Sequence, residues 1–478
     1  MKTYETVIGL EVHVELATKT KIFCGCTTEF GGAPNTHVCP VCSGMPGSLP
    51  VLNRQVVEYA LAAGLALNCE INQYCKFDRK NYFYPDLPKA YQVSQLYQPI
   101  CHDGGIEIDV DGVKKTIRIH EIHMEEDAGK LIHDPWDDAT LVDYNRCGVP
   151  LIEIVSEPDM RSAKEVIAYL EKLKLILQYL GVSDCKMEEG SLRADVNLSV
   201  REVGAPEFGT RTEMKNINSF KAIARAIEGE SKRQIEQLEF GKKIVQETRR
   251  WDDNKDTSFA MRSKEDAQDY RYFPEPDLVP LVISDEWIRE VKSREPELRD
   301  AKMLRYEKEY DIPEYDASII TSAKPLADLF EATVAICNRP KEVSNWLMVE
   351  TMRLMKEHEL EPEQLSFAPE NLAKLIGLID EGKINRTVAK EVFEQIFEHN
   401  VDPLQYVEEK GLIIVHDADA LRSTIEKIVE SNPQSVADYK GGKQKAIGFL
   451  VGQTMKEMKG KADPGMVNKM LKEILDEA

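Results

Sequence analysis

Residues 5–16, ETVIGLEVHVEL, alternate between apolar and polar side chains, and this alternation decides how the first part of the chain folds. The apolar set comprises Ile8, Leu10, Val12, Val14 and Leu16, and the other set comprises Gly9, Glu11, His13 and Glu15. Because successive side chains of a strand point to opposite faces, the stretch predicts a strand with one core face and one polar face. Burying two carboxylates and an imidazole is costly unless a cation compensates them, and a divalent ion is a natural compensator. The alternative is a solvent-facing polar edge.

Three further segments place acidic residues in strand-like surroundings. Residues 191–201 alternate in the same way and carry Asp195 on their polar face. Glu153 lies in the apolar run PLIEIV, and Glu126 lies in HMEEDAGK. An oxygen-rich set with one nitrogen suits Mg²⁺ or Mn²⁺ better than a metal that prefers thiolates. The sequence therefore predicts a hard-cation site whose candidate ligands are Glu11, His13, Glu126, Glu153 and Asp195.

Such sites mainly serve phosphates, so basic residues that contact a nucleotide are expected nearby. The candidates lie in polar segments of the same region: Arg79, Lys80, Arg193 and Lys215. For each one, the alternative is an ordinary surface cation. The chain contains no Gly-x4-Gly-Lys-Ser/Thr loop and no Gly-x-Gly-x-x-Gly between a strand and a helix, which disfavours P-loop kinases and Rossmann enzymes.

Two close pairs of cysteines flank a turn-rich loop of twelve residues: Cys24 and Cys26, then Cys39 and Cys42. The spacing predicts a four-thiolate zinc site, which is structural because no coordination position stays open for water. Unmetallated buried thiols are the alternative. His13-Val14-Glu15 before Cys-x-x-Cys also resembles the pattern of zinc nucleobase deaminases. That interpretation is disfavoured because Val38 stands where a proline is expected and because His13 lies on a strand.

The sequence predicts an α+β fold in three domains, which comprise residues 1–292, 293–405 and 406–478. Strand-like runs fill the first region, where a helix is predicted from Ala163 to Tyr179, and charged helical sequence follows. The formal charge of −22 excludes a generally cationic surface, so RNA contacts must be local. Residues 440–472 contain eight lysines and are a candidate RNA contact, with a solvated helical face as the alternative.

Residues 1–16 lack the features of a signal peptide, and no stretch approaches the length of a membrane span. A cytoplasmic protein is therefore expected. The ten cysteines are accordingly not interpreted as a disulfide framework, because that compartment keeps thiols reduced.

Eight blocks, in order, resemble the family of B subunits of the aspartyl/glutamyl-tRNA amidotransferases along essentially the whole chain. They are ETVIGLEVHVEL, KFDRKNYFYPDLPKAYQVSQ, HMEEDAGK, PLIEIVSEPD, KMEEGSLRADVNLS, EMKNINSF, DYRYFPEPDLVP and GGKQKAIGFLVGQTMK. The resemblance implies a glutamine-synthetase-like cradle of sheet and helices, then an all-helical domain, then a small helical YqeY-like tail that engages tRNA. It also implies that Glu11, His13, Glu126, Glu153 and Asp195 are the divalent-metal ligands.

The resemblance further implies the reaction. ATP, with Mg²⁺ or Mn²⁺, would phosphorylate the side-chain carboxylate of Glu on tRNA(Gln) or of Asp on tRNA(Asn), and ammonia would then displace the phosphate. The implied partners are the A subunit, an amidase that releases ammonia from glutamine, and the small C subunit. We find no serine-lysine arrangement typical of an amidase in this sequence, so ammonia is expected from the partner. The alternative is a scaffold protein that presents tRNA without catalysing the reaction.

Overall fold

A computed structural model of the protein describes residues 2–133, 139–253, 255–263, 270–414, 418–441, 443, 445–458, 462 and 464–477. The chain forms two compact units, Met1–Leu298 and Arg299–Ala478. The strands of the first unit are β1 (Tyr4–Glu15), β2 (Glu70–Ile71), β3 (Tyr74–Cys75), β4 (Asp78–Asn81), β5 (Tyr91–Ser94), β6 (Cys101–Val110), β7 (Val113–Glu126), β8 (Lys130–His133), β9 (Thr140–Asp143), β10 (Pro150–Ser156), β11 (Leu192–Glu202), β12 (Thr212–Lys215), β13 (Glu247–Asp252), β14 (Thr257–Ser263), β15 (Phe273–Pro274) and β16 (Leu281–Val282). Its helices are α1 (Arg54–Ala66), α2 (Ala163–Leu180), α3 (Phe220–Glu239) and α4 (Asp285–Ser293).

Within the described residues, one nine-stranded sheet dominates the first unit, in the order β14-β13-β12-β11-β1-β10-β7-β6-β2. Neighbouring strands are antiparallel except β12 and β13, which are parallel and connected through α3. The strand predicted from residues 5–16 is β1, at the centre of this sheet between β10 and β11. Both edges of β1 are therefore paired, and its alternation reflects one face in the core and one polar face.

The apolar face of β1 packs into the core of the first unit. Ile8, Val12 and Val14 are completely buried there, together with apolar residues of α1, α2 and α3. Helix α2 ends one residue beyond the prediction; Ser162 caps its start, and Gly181 adopts the left-handed conformation at its end, with φ of 71°. Because these helices cover one face of the sheet, the other face remains available for a site.

The second unit is helical in its described residues. Its helices are α5 (Arg299–Tyr310), α6 (Glu314–Ile320), α7 (Lys324–Cys337), α8 (Pro340–Asn345), a π-helix (Trp346–Thr351), α9 (Met352–Glu357), a 3₁₀ helix (Pro362–Gln364), α10 (Pro369–Asp380), α11 (Arg386–His399), α12 (Pro403–Glu409), α13 (Ala418–Ser431), α14 (Pro433–Lys440), α15 (Lys445–Glu457) and α16 (Pro464–Glu477). The predicted α+β class, with a sheet-containing region before a helical one, is confirmed.

Two separate apolar clusters stabilise the second unit. One extends from Tyr306 to Val407 and the other from Leu421 to Leu475. The three domain boundaries remain a prediction. Lys459 and Lys461 of the lysine-rich stretch lie outside the described residues. Among the helices of the described chain, none has the length and apolar character that crossing a membrane requires.

Candidate active site

The register of the central strands brings polar side chains together on the uncovered face of the sheet. Glu11 of β1 lies opposite Asp195 of β11, and His13 lies opposite Glu153 of β10. Glu153 in turn lies opposite His123 of β7. Directly opposed residues of antiparallel strands point to the same face. We call this surface, which carries Glu11, His13, His123, Glu153 and Asp195, the polar face.

The first group of candidate metal ligands comprises His13, Glu125 and Glu153, whose ligand atoms lie within 4.8 Å of one another. His13 Nδ1 is 3.2 Å from Glu125 Oε1 and 3.8 Å from Glu153 Oε2. His123 Nε2 lies 3.1 Å from the same oxygen of Glu153 and orients this carboxylate. The group combines one imidazole with two carboxylates.

The second group comprises Glu11, Asp195 and Glu213, whose ligand atoms also lie within 4.8 Å of one another. The Lys215 ammonium lies 2.7 Å from Asp195 Oδ2 and 3.1 Å from Glu213 Oε1. The two groups are adjacent, because His13 Nε2 is 3.7 Å from Asp195 Oδ2. Their carboxylate oxygens and single imidazole fit Mg²⁺ or Mn²⁺, and two neighbouring sites fit a reaction in which two anions meet.

The electrostatics of the polar face explain why a cation would be bound there. Burial alone would lower the pKa of His13, but its contacts with Asp195 and Glu125 outweigh burial and raise the pKa to about 10. Burial would raise the pKa of Glu153, but the hydrogen bond and charge of His123 lower it to about 2. Burial, with the negative charge of Glu153, raises the pKa of Glu11. A buried carboxylate with a raised pKa lacks enough positive charge beside it, which a divalent ion would supply.

The structure does not bring Glu126 together with the other four predicted ligands. On β7, Glu126 follows Ile122 and Met124 on the opposite face, whereas Glu125 follows His123 on the polar face. The Glu126 carboxylate pairs with the Lys89 ammonium and accepts a hydrogen bond of 2.9 Å from the Val93 backbone N–H. Glu125 therefore occupies the place that the sequence assigned to Glu126.

Adjacent carboxylates with different surroundings give a direct test. Glu125→Gln is expected to weaken Mn²⁺ binding at least roughly tenfold, because it removes a ligand oxygen beside His13. Glu126→Gln is expected to leave Mn²⁺ affinity within about twofold and to lower stability instead, because Lys89 then loses its buried partner. Titration of free Mn²⁺ by electron paramagnetic resonance measures the affinity. Equal loss of Mn²⁺ affinity in both variants would contradict the assignment of Glu125.

The predicted cations separate into two kinds. Lys215 lies within the second group, and Lys80 is near enough that its charge contributes to lowering the pKa of Glu153. Arg193 lies beside His13 on the polar face and donates to Asp127 Oδ2 at 2.7 Å. Arg79, by contrast, forms a two-bond ion pair with the buried Glu275, at 2.7 and 2.8 Å. Arg79 thus has its own carboxylate partner, and its part in nucleotide binding stays a prediction.

Sequence reasoning missed Glu125, His123 and Glu213. The two-residue period of a strand could have indicated them. His123 and Glu125 are two residues apart in EIHMEE, as are Glu213 and Lys215 in TEMK, so each pair lies on one face of its strand. Glu125 was missed because Glu126 is adjacent to it. Only one of two adjacent residues in a strand can point to the polar face, and the sequence does not show which one. Glu213 was missed because β12 is only four residues long.

The four clustered cysteines also come together. Cys24, Cys26, Cys39 and Cys42 have sulfur atoms within 4.8 Å of one another, and the Cys39 and Cys42 sulfurs are 3.8 Å apart. Tetrahedral zinc with Zn–S bonds of about 2.3 Å separates its sulfurs by about 3.8 Å. The hydrogen bond from Cys24 lowers the pKa of Cys42 to about 4 despite burial, and the Lys21 ammonium, 3.7 Å away, acts in the same direction. These thiols could bind a metal.

His13 does not join that group. Its candidate co-ligands are the carboxylates Glu125 and Glu153, whereas the four cysteines form a group of their own. A zinc deaminase requires His and Cys on one metal with an open position. The described residues do not show that arrangement.

Comparison with known proteins agrees with this geometry. The GatB/GatE catalytic domain matches residues 6–289, and the GatB domain matches residues 328–475. The chain is 78% identical, over all of both chains, to the B subunit of the aspartyl/glutamyl-tRNA(Asn/Gln) amidotransferase of Lachnoclostridium phytofermentans. It is 70% identical to the protein of that name from Agathobacter rectalis, covering 99% of this chain and 100% of the relative. It is 60% identical to the one from Caldicellulosiruptor bescii, with 99% of each chain covered. The chain therefore belongs to the GatB/GatE family.

Proposed function

We propose that this chain is the part of a tRNA-dependent amidotransferase that amidates Glu on tRNA(Gln), Asp on tRNA(Asn), or both, in the cytoplasm. The reaction uses ATP and ammonia, and the ammonia comes from the partner amidase, the A subunit, in a complex with the small C subunit. The observation that carries this proposal is the pair of adjacent ligand groups on the polar face. A site that joins a carboxylate to a phosphate must screen the charges of two anions. The candidate metal ligands and Lys215 on the polar face would supply the positive charge that this requires.

In this proposal the side-chain carboxylate of the aminoacyl group attacks the γ-phosphorus of ATP, and ADP leaves. Ammonia then attacks the acyl carbon, inorganic phosphate leaves with one oxygen of the original carboxylate, and the leaving phosphate takes up the proton that the attacking nitrogen loses. Mg²⁺ bound by the two groups would neutralise charge on the phosphate oxygens during this transfer. Atoms and charges balance without a redox partner.

The chain's own cations complete the site. Lys215 pairs with Asp195 and Glu213 and adds a positive charge at the second group. Arg193 is fixed by Asp127 through Nη2, while its buried Nε donates to no residue that the structure describes. Lys80 stacks over Tyr270 at 4.9 Å and contributes charge near Glu153.

A structural zinc ion is proposed at the four cysteines. Their loop follows β1 and leads into α1, so a closed four-thiolate site would fix the connection between the central strand and a core helix. The buried Lys21 supports this by donating to the His37 carbonyl at 2.8 Å while facing the Cys42 sulfur. Chemistry at the polar face does not pass through this metal.

The last apolar cluster is proposed to support tRNA binding. Removing residues 418–478 deletes that cluster and leaves Val407 and the preceding cluster intact. The truncated protein is expected to bind tRNA roughly tenfold more weakly or worse, because it loses the lysine-rich stretch. Filter binding at fixed salt measures this. A second variant, in which Lys440, Lys443 and Lys445 are changed to Gln, retains the helices and loses only the positive charges, so it separates the two effects. Unchanged tRNA affinity in the truncated protein and in this variant would contradict the proposal.

The whole proposal is tested with the purified complex, ATP, Mg²⁺ and each mischarged tRNA. Glutamine serves as the nitrogen donor in one set of reactions and ammonium chloride in the other. Formation of Gln-tRNA(Gln) or Asn-tRNA(Asn) with either donor is the expected result. Binding of tRNA without ATP cleavage under all conditions would instead identify a protein that only presents tRNA.

A further inference from the structure

Strand β13 borders the second ligand group, although neither group of candidate ligands includes a residue of this strand. Helix α3 returns the chain so that β13 runs parallel to β12, and in this register Thr248 lies opposite Glu213. The next pair along, Met214 and Arg249, is buried on the helix-covered side of the sheet. Because side chains alternate along a strand, Glu213 and Thr248 both point to the polar face.

The Thr248 hydroxyl contacts the Glu213 carboxylate directly. Its Oγ1 donates to Glu213 Oε2 at 2.8 Å, while the Lys215 ammonium lies 3.1 Å from Glu213 Oε1. Each oxygen of this carboxylate therefore has its own donor, and only 14% of the Glu213 side chain is exposed. The last torsion of a glutamate side chain is otherwise broad, so two donors on different oxygens fix the plane of the carboxylate.

A hydroxyl is suited to this task because it carries no charge. The second group has three carboxylates, on Glu11, Asp195 and Glu213, and the Lys215 ammonium already places one positive charge beside two of them. A further cation on Glu213 would repel a divalent ion and would reduce the negative charge that attracts it. A neutral donor orients the ligand and leaves its negative charge to the ion.

The position of Thr248 is fixed from the covered side of the sheet. There the completely buried Glu230 of α3 accepts hydrogen bonds from Thr212 Oγ1 at 2.9 Å and from Ser258 Oγ at 3.1 Å. Arg249 donates to the Ser258 carbonyl at 2.7 Å and lies 3.4 Å from the Glu230 carboxylate. One buried carboxylate thus connects β12, β13 and β14, so the hydroxyl is held at a defined place on the polar face.

We propose that Thr248 is a positioning residue, which holds Glu213 in the orientation that binds the divalent ion of the second group. The inference rests on the proposed function, which requires an ion there, and adds a residue that acts through Glu213 rather than on the substrate. Loss of the hydroxyl frees the carboxylate to rotate, and ordering it again when the ion binds lowers the affinity. The effect falls on the ion and not on the fold, because β12 and β13 keep their backbone pairing and the hydrogen bonds around Glu230.

The test is Thr248→Val, which removes the hydroxyl and keeps the branched shape of the side chain. In the full complex, titration of free Mn²⁺ by electron paramagnetic resonance is expected to show roughly tenfold weaker binding at the second group. The Mg²⁺ concentration that gives half-maximal amidation is expected to rise by a similar factor, with a much smaller change in kcat at saturating Mg²⁺. Thr248→Ser, which retains the donor, is expected to restore Mn²⁺ affinity to within about twofold.

The matched control is Thr212→Val, the same change on the covered side of β12. The Thr212 hydroxyl donates to Glu230, which belongs to neither ligand group. Removing it leaves a buried carboxylate with one donor fewer, so thermal unfolding is expected at a lower temperature. The Mn²⁺ affinity of Thr212→Val is expected to stay within about twofold of the unaltered complex.

Three results would overturn the inference. The first is unchanged Mn²⁺ affinity in Thr248→Val, and the second is an equal loss of affinity in Thr248→Val and Thr212→Val. The third is a loss that Thr248→Ser does not restore, which would assign the effect to the shape of the side chain. If the unaltered complex binds no Mn²⁺ and cleaves no ATP, the proposed function itself fails, and this result is distinct because it does not depend on any variant.

Discussion

Replacing Asp195 with Asn is expected to slow ammonia-driven amidation roughly a thousandfold. The substitution keeps the shape of the side chain but removes the charge that belongs to the second ligand group and contacts both Lys215 and His13. Metal-assisted charge stabilisation in phosphoryl transfer is worth several kcal/mol, and about 4 kcal/mol corresponds to this loss of rate. Saturating ammonium chloride as nitrogen donor makes the measurement independent of the amidase.

The control for this variant is Glu202→Gln, at the exposed end of the same strand, where Glu202 pairs with the exposed Lys2. That variant is expected to retain full activity. Thermal unfolding of both variants should match the unaltered protein within a few degrees, which ties the loss to chemistry. An Asp195→Asn protein that amidates at more than about a tenth of the normal rate would contradict a role for this carboxylate.

Replacing Cys42 with Ser is expected to remove the bound zinc and to destabilise the first unit by about 3–5 kcal/mol. Two effects add: the tetrahedral site loses a ligand, and the completely buried Lys21 ammonium loses the thiolate that faces it. Metal analysis of the purified protein and urea unfolding measure the two effects. About one zinc ion per chain is expected before the substitution and almost none after it.

The matched control is Cys337→Ser, which alters a half-buried thiol outside the cluster. It is expected to leave zinc content and stability unchanged. Zinc content and unfolding midpoint that are the same in Cys42→Ser and the unaltered protein would refute the metal site. If the activity of Cys42→Ser falls only as much as its fraction of folded protein falls, the zinc has a structural role.

Periodicity predicted the centre of the fold well. The alternation in residues 5–16 predicted β1 and its two faces, and α2 follows its predicted bounds closely because both of its capping residues are visible in the sequence. These features depend on local geometry alone. The α+β class followed from them.

The sequence pattern could not predict contacts between residues that are far apart in the chain. Arg79 pairs with Glu275, 196 residues away, so its sequence context gave no sign that the guanidinium is already occupied. Glu125 and Glu126 have equal chemistry, and only the register of β7 against β10 shows which one points to the polar face. The adjacency of the two ligand groups likewise depends on β1 lying between β10 and β11.

In the proposed reaction, the polar face activates the side-chain carboxylate by phosphorylating it. The decisive experiment labels both side-chain carboxylate oxygens of the glutamate on tRNA(Gln) with ¹⁸O and follows the phosphate released by the complex with ATP, Mg²⁺ and ammonium chloride. One ¹⁸O is expected in each inorganic phosphate formed together with an amide, and labelled phosphate is expected to form roughly a thousandfold more slowly with Asp195→Asn. Amide formation accompanied by unlabelled phosphate would contradict phosphorylation of the carboxylate.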